Sequence, residues 1–204
     1  MMKNKIIVEP GTAGLIFDLD GTIADTMPVH FLAYKSIVKE YGIEFTPELF
    51  ATLGGIPAIG TIQKLNELFG TNMSPEEIGH YKELEYEKIM HKMKPIIPVI
   101  DLVKEYHKKL PMAVGTGGIR RLAWKTLEIL GLSDYFEILV ASDDISHPKP
   151  HPETFLRCAG LMNVEPEKCH VFEDSELGMQ AAHAAGMKAT LVTNYYQVSI
   201  GQNI

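Results

Sequence analysis

The sequence has only two cysteines, Cys158 and Cys169, and it has no apolar run long enough to span a bilayer. Two cysteines in 204 residues do not make a disulfide framework, and such a content is typical of a protein kept in a reducing compartment. The apolar run at residues 6–8 is too short for the hydrophobic region of a signal peptide. These absences predict a cytoplasmic protein with no membrane partner.

The sequence also has no excess of basic residues over acidic ones. The formal net charge is -7, and an acidic surface argues against non-specific binding to nucleic acid or to anionic lipid. The composition, 46% hydrophobic and 22% charged, is that of an ordinary globular protein. The length is sufficient for one sizeable core, or for a core with a small inserted domain. The sequence leaves the oligomeric state open, and a monomer is compatible with it.

From residue 95 onward, strand patterns alternate with helix patterns. After a first strand at 13–18, the predicted strands are 112–115, 138–141, 170–173 and 189–192, and the predicted helices are 99–110, 120–130, 153–162 and 176–185. Strands that alternate with helices predict a parallel sheet covered on both faces. The predicted fold class is therefore α/β, with a Rossmann-like parallel sheet as its core.

Residues 28–93 carry helical patterns and no convincing strand. The predicted helices are 31–41, 47–53, 59–69 and a last one that Ser74 caps and that runs to about residue 93. Because this segment interrupts the chain between the first strand and the next unit, we predict an inserted all-α cap at 26–94. The catalytic core is then 1–25 and 95–204, with a short lead-in at 1–12 and an irregular last dozen residues.

The stretch from Gly14 to Ile23 contains an apolar run followed by two carboxylates, Asp18 and Asp20, and then Gly21. In open α/β sheets, ligands bind just beyond the carboxyl ends of the strands. Residues i and i+2 of a strand share a face, so we expect the two side chains to lie together. Such carboxylates repel each other unless a proton or a cation lies between them, and a divalent metal is the favoured answer. An Asp-rich turn without chemistry is the alternative.

Three more polar groups follow later strands. Residues 116–118 (Thr-Gly-Gly) follow the second predicted strand, Lys149 follows the third, and Glu173 and Asp174 follow the fourth. Taken singly, each group has an alternative without chemistry. The Thr-Gly-Gly run is compatible with a strand-to-helix turn, Lys149 with a solvated lysine on a stiff surface loop, and the two acids with a helix cap. Because strand ends of one parallel sheet point the same way, we expect all of them to meet in one crevice.

Each group has a physical task if a phosphoryl group binds there. Mg²⁺ prefers oxygen ligands, which Asp18 and Asp174 can supply as carboxylates and Asp20 as a backbone carbonyl. Glu173 can bind the metal directly or hold one of its waters.

The remaining residues suit the phosphoryl group itself. Thr116 offers a hydroxyl, and Gly117 and Gly118 let backbone amides approach an anion. Lys149 is a compact cation that offsets the charge of the acids and of the phosphate. Positioning and charge neutralisation are what phosphoryl transfer mainly requires.

The Asp-Leu-Asp-Gly-Thr run at 18–22, with the order and spacing of the other three groups, resembles the signature of the haloacid dehalogenase-like superfamily of phosphotransferases. The resemblance covers nearly the whole chain, and the inserted helices occupy the place of the family's helical cap. It implies a set of roles: nucleophile Asp18, general acid/base Asp20, phosphate-binding Thr116, charge-balancing Lys149, and metal-binding acids Glu173 and Asp174.

Within the family, the sequence resembles β-phosphoglucomutases and the related sugar phosphatases, including a fructose-1-phosphate phosphatase type. Dehalogenases lack an acid at Asp20, because a halide leaves without a proton whereas an alkoxide benefits from one. Thr26 and His30 match positions that help control the acid/base and the substrate in the mutases, although a helix-surface histidine remains the alternative for His30. Lys82 corresponds to a substrate lysine of the mutase cap.

One position separates phosphatase from mutase. The mutases grip the distal phosphate with an arginine of the cap loop, and Ala58 occupies its approximate place here. We therefore predict Mg²⁺-dependent hydrolysis of a small sugar phosphate through an aspartyl-phosphate. A β-phosphoglucomutase is the first alternative. A phospho-accepting signalling module, built like a response-regulator receiver domain, is the second, but such modules lack an inserted cap.

Overall fold

The computed structural model describes residues 5–54 and 56–196. These residues form two compact units, an α/β unit of residues 5–25 and 94–196 and a helical unit of residues 26–54 and 56–93. The expectations for the lead-in at 1–4, for Gly55 in the loop before Ala58 and for the tail at 197–204 concern residues outside those described.

Seven strands lie within the described residues: β1 Gly14–Phe17, β2 Ala24–Asp25, β3 Lys94–Pro95, β4 Met112–Gly115, β5 Ile138–Val140, β6 Cys169–Glu173 and β7 Lys188–Leu191. Five of them form one sheet in the order β5-β4-β1-β6-β7, and every neighbouring pair is parallel. The chain builds the sheet outward from β1 on both sides, so the topological switch lies at β1. Ligands of open α/β sheets bind at such a point.

Eight α-helices lie within the described residues: α1 Met27–Val38, α2 Pro47–Thr52, α3 Ala58–Phe69, α4 Pro75–Ile89, α5 Ile97–Tyr106, α6 Arg120–Ile129, α7 Glu153–Met162 and α8 Glu176–Ala184. The first four form the helical unit and the last four belong to the α/β unit. The predicted cap at Ser74 is confirmed, since its hydroxyl accepts the Glu77 amide. Among the described residues, no helix has the length and apolar character needed to cross a membrane.

The sheet has a core on each face. Leu15 and Phe17 of β1 join the cluster that includes α5 and α6, whereas Ile16 between them joins the cluster that includes α7 and α8. All four residues of β1 are buried, as expected of a central strand covered twice. The predicted α/β class with an inserted all-α segment is confirmed. The helical unit has its own apolar core, which contains Phe31 and Phe45.

Several predicted details are wrong. β1 ends at Phe17, so Asp18 and Asp20 do not share a strand face, and the chain turns because the Leu19 carbonyl accepts the amides of residues 22, 23 and 24. The short β2–β3 pair was not predicted. Helix α5 ends at Tyr106 rather than 110, before a left-handed residue at Lys108 with φ 62°. The other boundaries either coincide with the prediction, as for β4 and α7, or differ from it by up to four residues.

Candidate active site

Three carboxylates meet at the carboxyl ends of β1 and β6. Asp18, Glu173 and Asp174 each offer an oxygen, and these oxygens all lie within 4.8 Å of one another. Asp18 is 5% exposed and Glu173 only 1%. The sheet fixes this juxtaposition, because β1 and β6 are paired and the Asp18 amide continues the ladder to the Phe172 carbonyl at 2.9 Å.

Lys149 brings a positive charge to the same point. Its Nζ lies 2.6 Å from Oδ1 of Asp18 and 3.3 Å from Oε2 of Glu173. The ammonium also lies 4.6 Å from the ring centroid of Phe155, a favourable cation–π contact that the sequence pattern did not predict. The lysine is therefore a partner of the acids and not the solvated residue of a surface loop.

The crowding of acids shifts their protonation. Burial, reinforced by the Glu173 charge and opposed by Lys149, raises the pKa of Asp18 to about 8. Burial, with the charges of Asp18 and Glu173, raises the pKa of Asp174 to about 9. Burial alone would lower the pKa of Lys149, but the charges of Asp18 and Glu173 outweigh it and raise that pKa.

The donor set of this cluster fits a divalent cation. Three carboxylates and one lysine leave an excess of negative charge, and all the acidic donors are oxygens, which Mg²⁺ prefers. A bound cation would favour the ionised carboxylates that burial disfavours.

Backbone contacts hold Glu173 in place. Its Oε1 accepts the amides of Asp174 at 3.2 Å and Ser175 at 3.3 Å, and the Ser175 hydroxyl at 3.0 Å. Ser175 also caps α8, since its Oγ accepts the Gly178 amide at 3.1 Å. A Cβ at position 178 would lie 1.8 Å from Oε2 of Glu173, so only glycine fits there. The start of α8 is thus built around this carboxylate.

The turn after β1 packs directly on Asp174. Gly21 has φ +84°, and a Cβ at this position would lie 2.2 Å from Oδ2 of Asp174. The Thr22 hydroxyl reaches Oδ1 of the same carboxylate at 3.5 Å, and the Tyr196 hydroxyl donates to the Gly21 carbonyl. Thr22 and Tyr196 were not among the predicted site residues. Thr22 stood inside the recognised motif, whereas Tyr196 carried no local signal.

The loop after β4 forms another part of the site. Thr116 is buried, and its hydroxyl accepts the Gly118 amide at 3.0 Å. A Cβ at Gly118 would lie 3.3 Å from Oδ2 of Asp20, so the Asp20 side chain lies beside this loop. At Gly117, a Cβ would meet no described atom within 4 Å, which leaves space for a ligand. The structure therefore brings Asp20 and Thr116 together.

The helical unit contains a second polar cluster. Lys82 of α4 is only 7% exposed, and its Nζ lies 2.9 Å from Nδ1 of His30 in α1. Because an ammonium only donates, His30 Nδ1 accepts in this contact. The ammonium also lies over the rings of Tyr34 and Tyr86, at 5.1 and 5.2 Å, and His30 stacks on Tyr86 at 4.2 Å. His30 is thus half-buried in this cluster and not a solvated surface histidine.

Thr26, the third residue predicted in this unit, is fully buried at the start of α1. Its carbonyl accepts the His30 amide at 2.9 Å, so the backbone links these two positions. The structure therefore places all three predicted substrate residues of the helical unit at α1 or α4.

The chain forms a parallel α/β sheet with an inserted helical cap. Acids, a lysine and a threonine lie together at the carboxyl edge of this sheet. These features define a class of phosphoryl-transfer fold. The family profile of the haloacid dehalogenase-like hydrolases matches residues 15–192. The chain belongs to this family, as the Asp-Leu-Asp-Gly-Thr run predicted. Membership of a hydrolase family argues against the alternative of a phospho-accepting signalling module.

Similar proteins place the chain within the family. Fructose-1-phosphate phosphatase YqaB of Escherichia coli is 42% identical over 178 residues, which cover 87% of this chain and 94% of that protein. The β-phosphoglucomutase of Bacillus subtilis is 33% identical, covering 86% and 80%. The crystal structure of a β-phosphoglucomutase from Clostridium difficile superposes with a TM-score of 0.75 at 25% identity, covering 87% and 83%. The predicted subgroup is confirmed.

Proposed function

We propose that this chain hydrolyses small sugar phosphates with Mg²⁺, the α/β unit carrying the chemistry and the helical unit acting as the cap that recognises the sugar. The contact that carries the proposal is that of Lys149 with Asp18 and Glu173, at 2.6 and 3.3 Å. It places a cation against the carboxylate that would receive the phosphoryl group, and next to the acids that would hold the metal.

In the first step, a carboxylate oxygen of Asp18 attacks phosphorus, and the bond between phosphorus and the sugar oxygen breaks. Asp20 donates a proton to the departing alkoxide, which leaves as the sugar alcohol. Asp20 lies beside the Thr116 loop, at 3.3 Å from the position of a Cβ on Gly118. The product of this step is an aspartyl-phosphate at Asp18.

In the second step, Asp20 takes a proton from a water molecule, whose oxygen attacks phosphorus. The bond between phosphorus and Asp18 breaks, which releases inorganic phosphate and restores the carboxylate. The same residue therefore serves first as acid and then as base, and no further reactant is needed.

The other residues stabilise the charge of the transferred group. Asp18, Glu173, Asp174 and the Asp20 carbonyl would hold Mg²⁺, which when bound neutralises charge on the phosphoryl oxygens. The Thr116 hydroxyl and the amides near Gly117 and Gly118 would bind the same oxygens, with Lys149 as the protein cation.

The cap favours a phosphatase over a mutase. Residues 26–93 contain no arginine, and Ala58 stands near the place of the mutases' phosphate-gripping arginine. A mutase must hold a bisphosphate at both ends, and the loss of a bidentate clamp weakens that grip. The relative with 42% identity is called a fructose-1-phosphate phosphatase, which supports the same substrate class here. We assign contacts with the sugar to Thr26, His30 and Lys82.

The experiment is a phosphate-release screen over small sugar phosphates, with fructose-1-phosphate and glucose-1-phosphate among them, run with Mg²⁺ and again with EDTA. We expect Mg²⁺-dependent release that Asp18→Asn abolishes, while the exposed control Asp134→Asn keeps it. A parallel assay follows conversion of β-glucose-1-phosphate to glucose-6-phosphate with a bisphosphate primer. Conversion faster than phosphate release would replace the phosphatase by the mutase.

A further inference from the structure

A second group of ligating side chains lies on the loop that carries Lys149. Among the described residues outside the acidic cluster, His147, His151 and Glu153 are the group whose ligand atoms all lie within 4.8 Å of one another. Two of these residues precede α7 and the third is its first residue. They stand on both sides of Lys149 in the chain, and the proposed phosphatase mechanism uses none of them.

The carboxylate of Glu153 is the fixed member of this group. Its Oε1 accepts the Ser146 amide at 2.8 Å, and its Oε2 accepts the His147 amide at 3.0 Å. These backbone contacts set the direction of the carboxylate independently of either imidazole. Oε1 retains a lone pair for a further partner, and the second lone pair of Oε2 faces Nδ1 of His147.

The two imidazoles converge on one oxygen of that carboxylate. Nδ1 of His147 lies 2.9 Å from Oε2 of Glu153, and Nδ1 of His151 lies 4.0 Å from it. The ring centroids are 4.6 Å apart with 33° between the planes. Nδ1 of His151 also accepts the Glu153 amide at 3.3 Å, so this imidazole is held at the start of α7 while it faces the carboxylate.

We propose that His147, His151 and Glu153 bind one divalent transition-metal ion of the Zn²⁺ type, with water completing the coordination. Two imidazoles and one carboxylate are a known ligand set for Zn²⁺, and imidazole favours Zn²⁺, Ni²⁺ and Cu²⁺ over Mg²⁺. The ligand atoms must close to about 2.0–2.2 Å from the ion. The histidine side chains are 65% and 50% exposed, so they have room for the small rotations required.

The donor chemistry separates this site from the acidic cluster. The acidic cluster offers oxygens only, whereas the loop group offers two nitrogens and one oxygen. Mg²⁺ should therefore bind to the acidic cluster, and a transition-metal ion should bind to the loop group. An ion on the loop group would tie together both ends of the Pro148–Pro150 segment, and so restrain the backbone that presents Lys149.

The test uses the full, tag-free protein with Mg²⁺ in excess, so that the acidic cluster is filled. Zn²⁺ binding is measured by titration calorimetry, and Cu²⁺ is used as a spectroscopic probe of its ligands by electron paramagnetic resonance. We expect one tight equivalent of Zn²⁺ and a Cu²⁺ spectrum with coupling to two imidazole nitrogens. The double variant His147→Ala/His151→Ala should lose both signals, and Glu153→Gln should weaken Zn²⁺ binding about tenfold or more.

His183→Ala is the matched control, because it removes an exposed histidine of the same unit. It should bind Zn²⁺ as the parent does. Circular dichroism confirms that each variant is folded. Zn²⁺ binding that survives the double substitution, a Cu²⁺ spectrum without nitrogen coupling, or no binding at micromolar Zn²⁺ would each overturn the proposal. Phosphatase activity is not a readout here, so its absence and the absence of this site are separate results.

Discussion

Lys149 of the α/β unit, with a side chain that is 12% exposed, and Lys82 of the helical unit, which is 7% exposed, lie in different surroundings. Lys149 in the α/β unit contacts the carboxylates of Asp18 and Glu173. Lys82 in the helical unit contacts the imidazole of His30 and lies over the rings of Tyr34 and Tyr86. These contacts differ in kind, because carboxyl groups lie next to one ammonium whereas an imidazole nitrogen and two aromatic rings lie next to the other.

Under the proposed function, the two lysines would have different tasks. At Lys149 three carboxyl groups lie within reach of one another, a set that could hold a divalent cation beside the lysine. At Lys82 an imidazole nitrogen and two aromatic rings lie against the ammonium, a setting that suits recognition of a polar group. The first lysine should therefore control the chemical step, and the second should control binding.

Removing the principal partner of Lys149 should have the largest effect. We predict that Asp18→Asn lowers kcat by roughly 10³-fold or more, because a neutral amide cannot carry the phosphoryl group. Phosphate release measures the loss, and Asp134→Asn is the exposed control. An Asp18→Asn variant with activity close to the parent would remove this residue from the reaction.

Replacing the lysines themselves tests the comparison directly. We predict that Lys149→Met lowers kcat by about 10²–10³-fold, because a pre-oriented charge beside the phosphoryl group is lost. Thermal unfolding without metal should also shift to lower temperature, since a buried charge pair is broken from one side. Equal losses of kcat in Lys149→Met and Lys82→Met would break the comparison.

A substitution at Asp20 tests proton transfer separately from charge balance. We predict that Asp20→Asn slows hydrolysis of a sugar phosphate by about 10²-fold or more, because the alkoxide leaves without a proton. An aryl phosphate, whose leaving group needs little protonation, should lose much less. Steady-state rates with both substrates give the ratio. Equal loss for the two substrates would contradict the role of proton donor.

Lys82 should show the smaller effect expected of recognition. We predict that Lys82→Met raises KM about tenfold and changes kcat little, because methionine keeps the apolar stem but loses the charged contact. The control is Lys88→Met on the same helix, whose side chain is 66% exposed. A fall in kcat with an unchanged KM would place Lys82 in the chemical step instead.

The weakest effect concerns stability and pH without metal. The raised pKa values of Asp18, about 8, and Asp174, about 9, mean that the folded state holds protons that the unfolded state has released. Their stabilisation is complete below the unfolded pKa of 3.8 and is lost as the pH rises through 8 to 9. We therefore expect the Tm in EDTA to fall as the pH rises from about 6 to about 9, by several degrees or more.

Mg²⁺ should offset this fall, because the cation replaces the protons in the cluster. The stabilisation that Mg²⁺ gives should grow with pH, and Asp18→Asn should reduce it. Differential scanning fluorimetry with Mg²⁺ and with EDTA measures both. A Mg²⁺ effect on Tm that is independent of pH would speak against a cation among these carboxylates.

The surroundings of Lys149 were predicted from the sequence in part. The acids, the threonine loop and Lys149 follow strands, and parallel strands place their ends at one edge, so the meeting of these groups was predictable. The Lys149–Phe155 contact depends on how α7 packs, and the contact of Tyr196 with Gly21 joins residues that are far apart in the chain. Such contacts have no signature in local spacing.

The helical unit was less predictable than the sheet. Apolar spacing located its helices, but the approach of His30 to Lys82 depends on how α1 and α4 pack together. Helix ends also shifted by up to four residues, because α1 begins earlier, with Pro28 in its first turn, and the last turns predicted for α1 and α4 are the 3₁₀ helices Lys39–Tyr41 and Met90–Lys92. The sequence therefore predicted the acidic cluster at the edge of the sheet in more detail than the His30–Lys82 cluster of the helical unit.

The most direct test of the account is to look for the phosphoryl group on Asp18. Asp20→Asn enzyme with Mg²⁺ is mixed with the best sugar or aryl phosphate and quenched in acid during turnover, and its peptides are analysed by mass spectrometry. Because this variant lacks the base for the second step, we predict one phosphoryl group on the peptide that contains Asp18. Continued turnover with that peptide unmodified, or the group on another residue, would contradict the account.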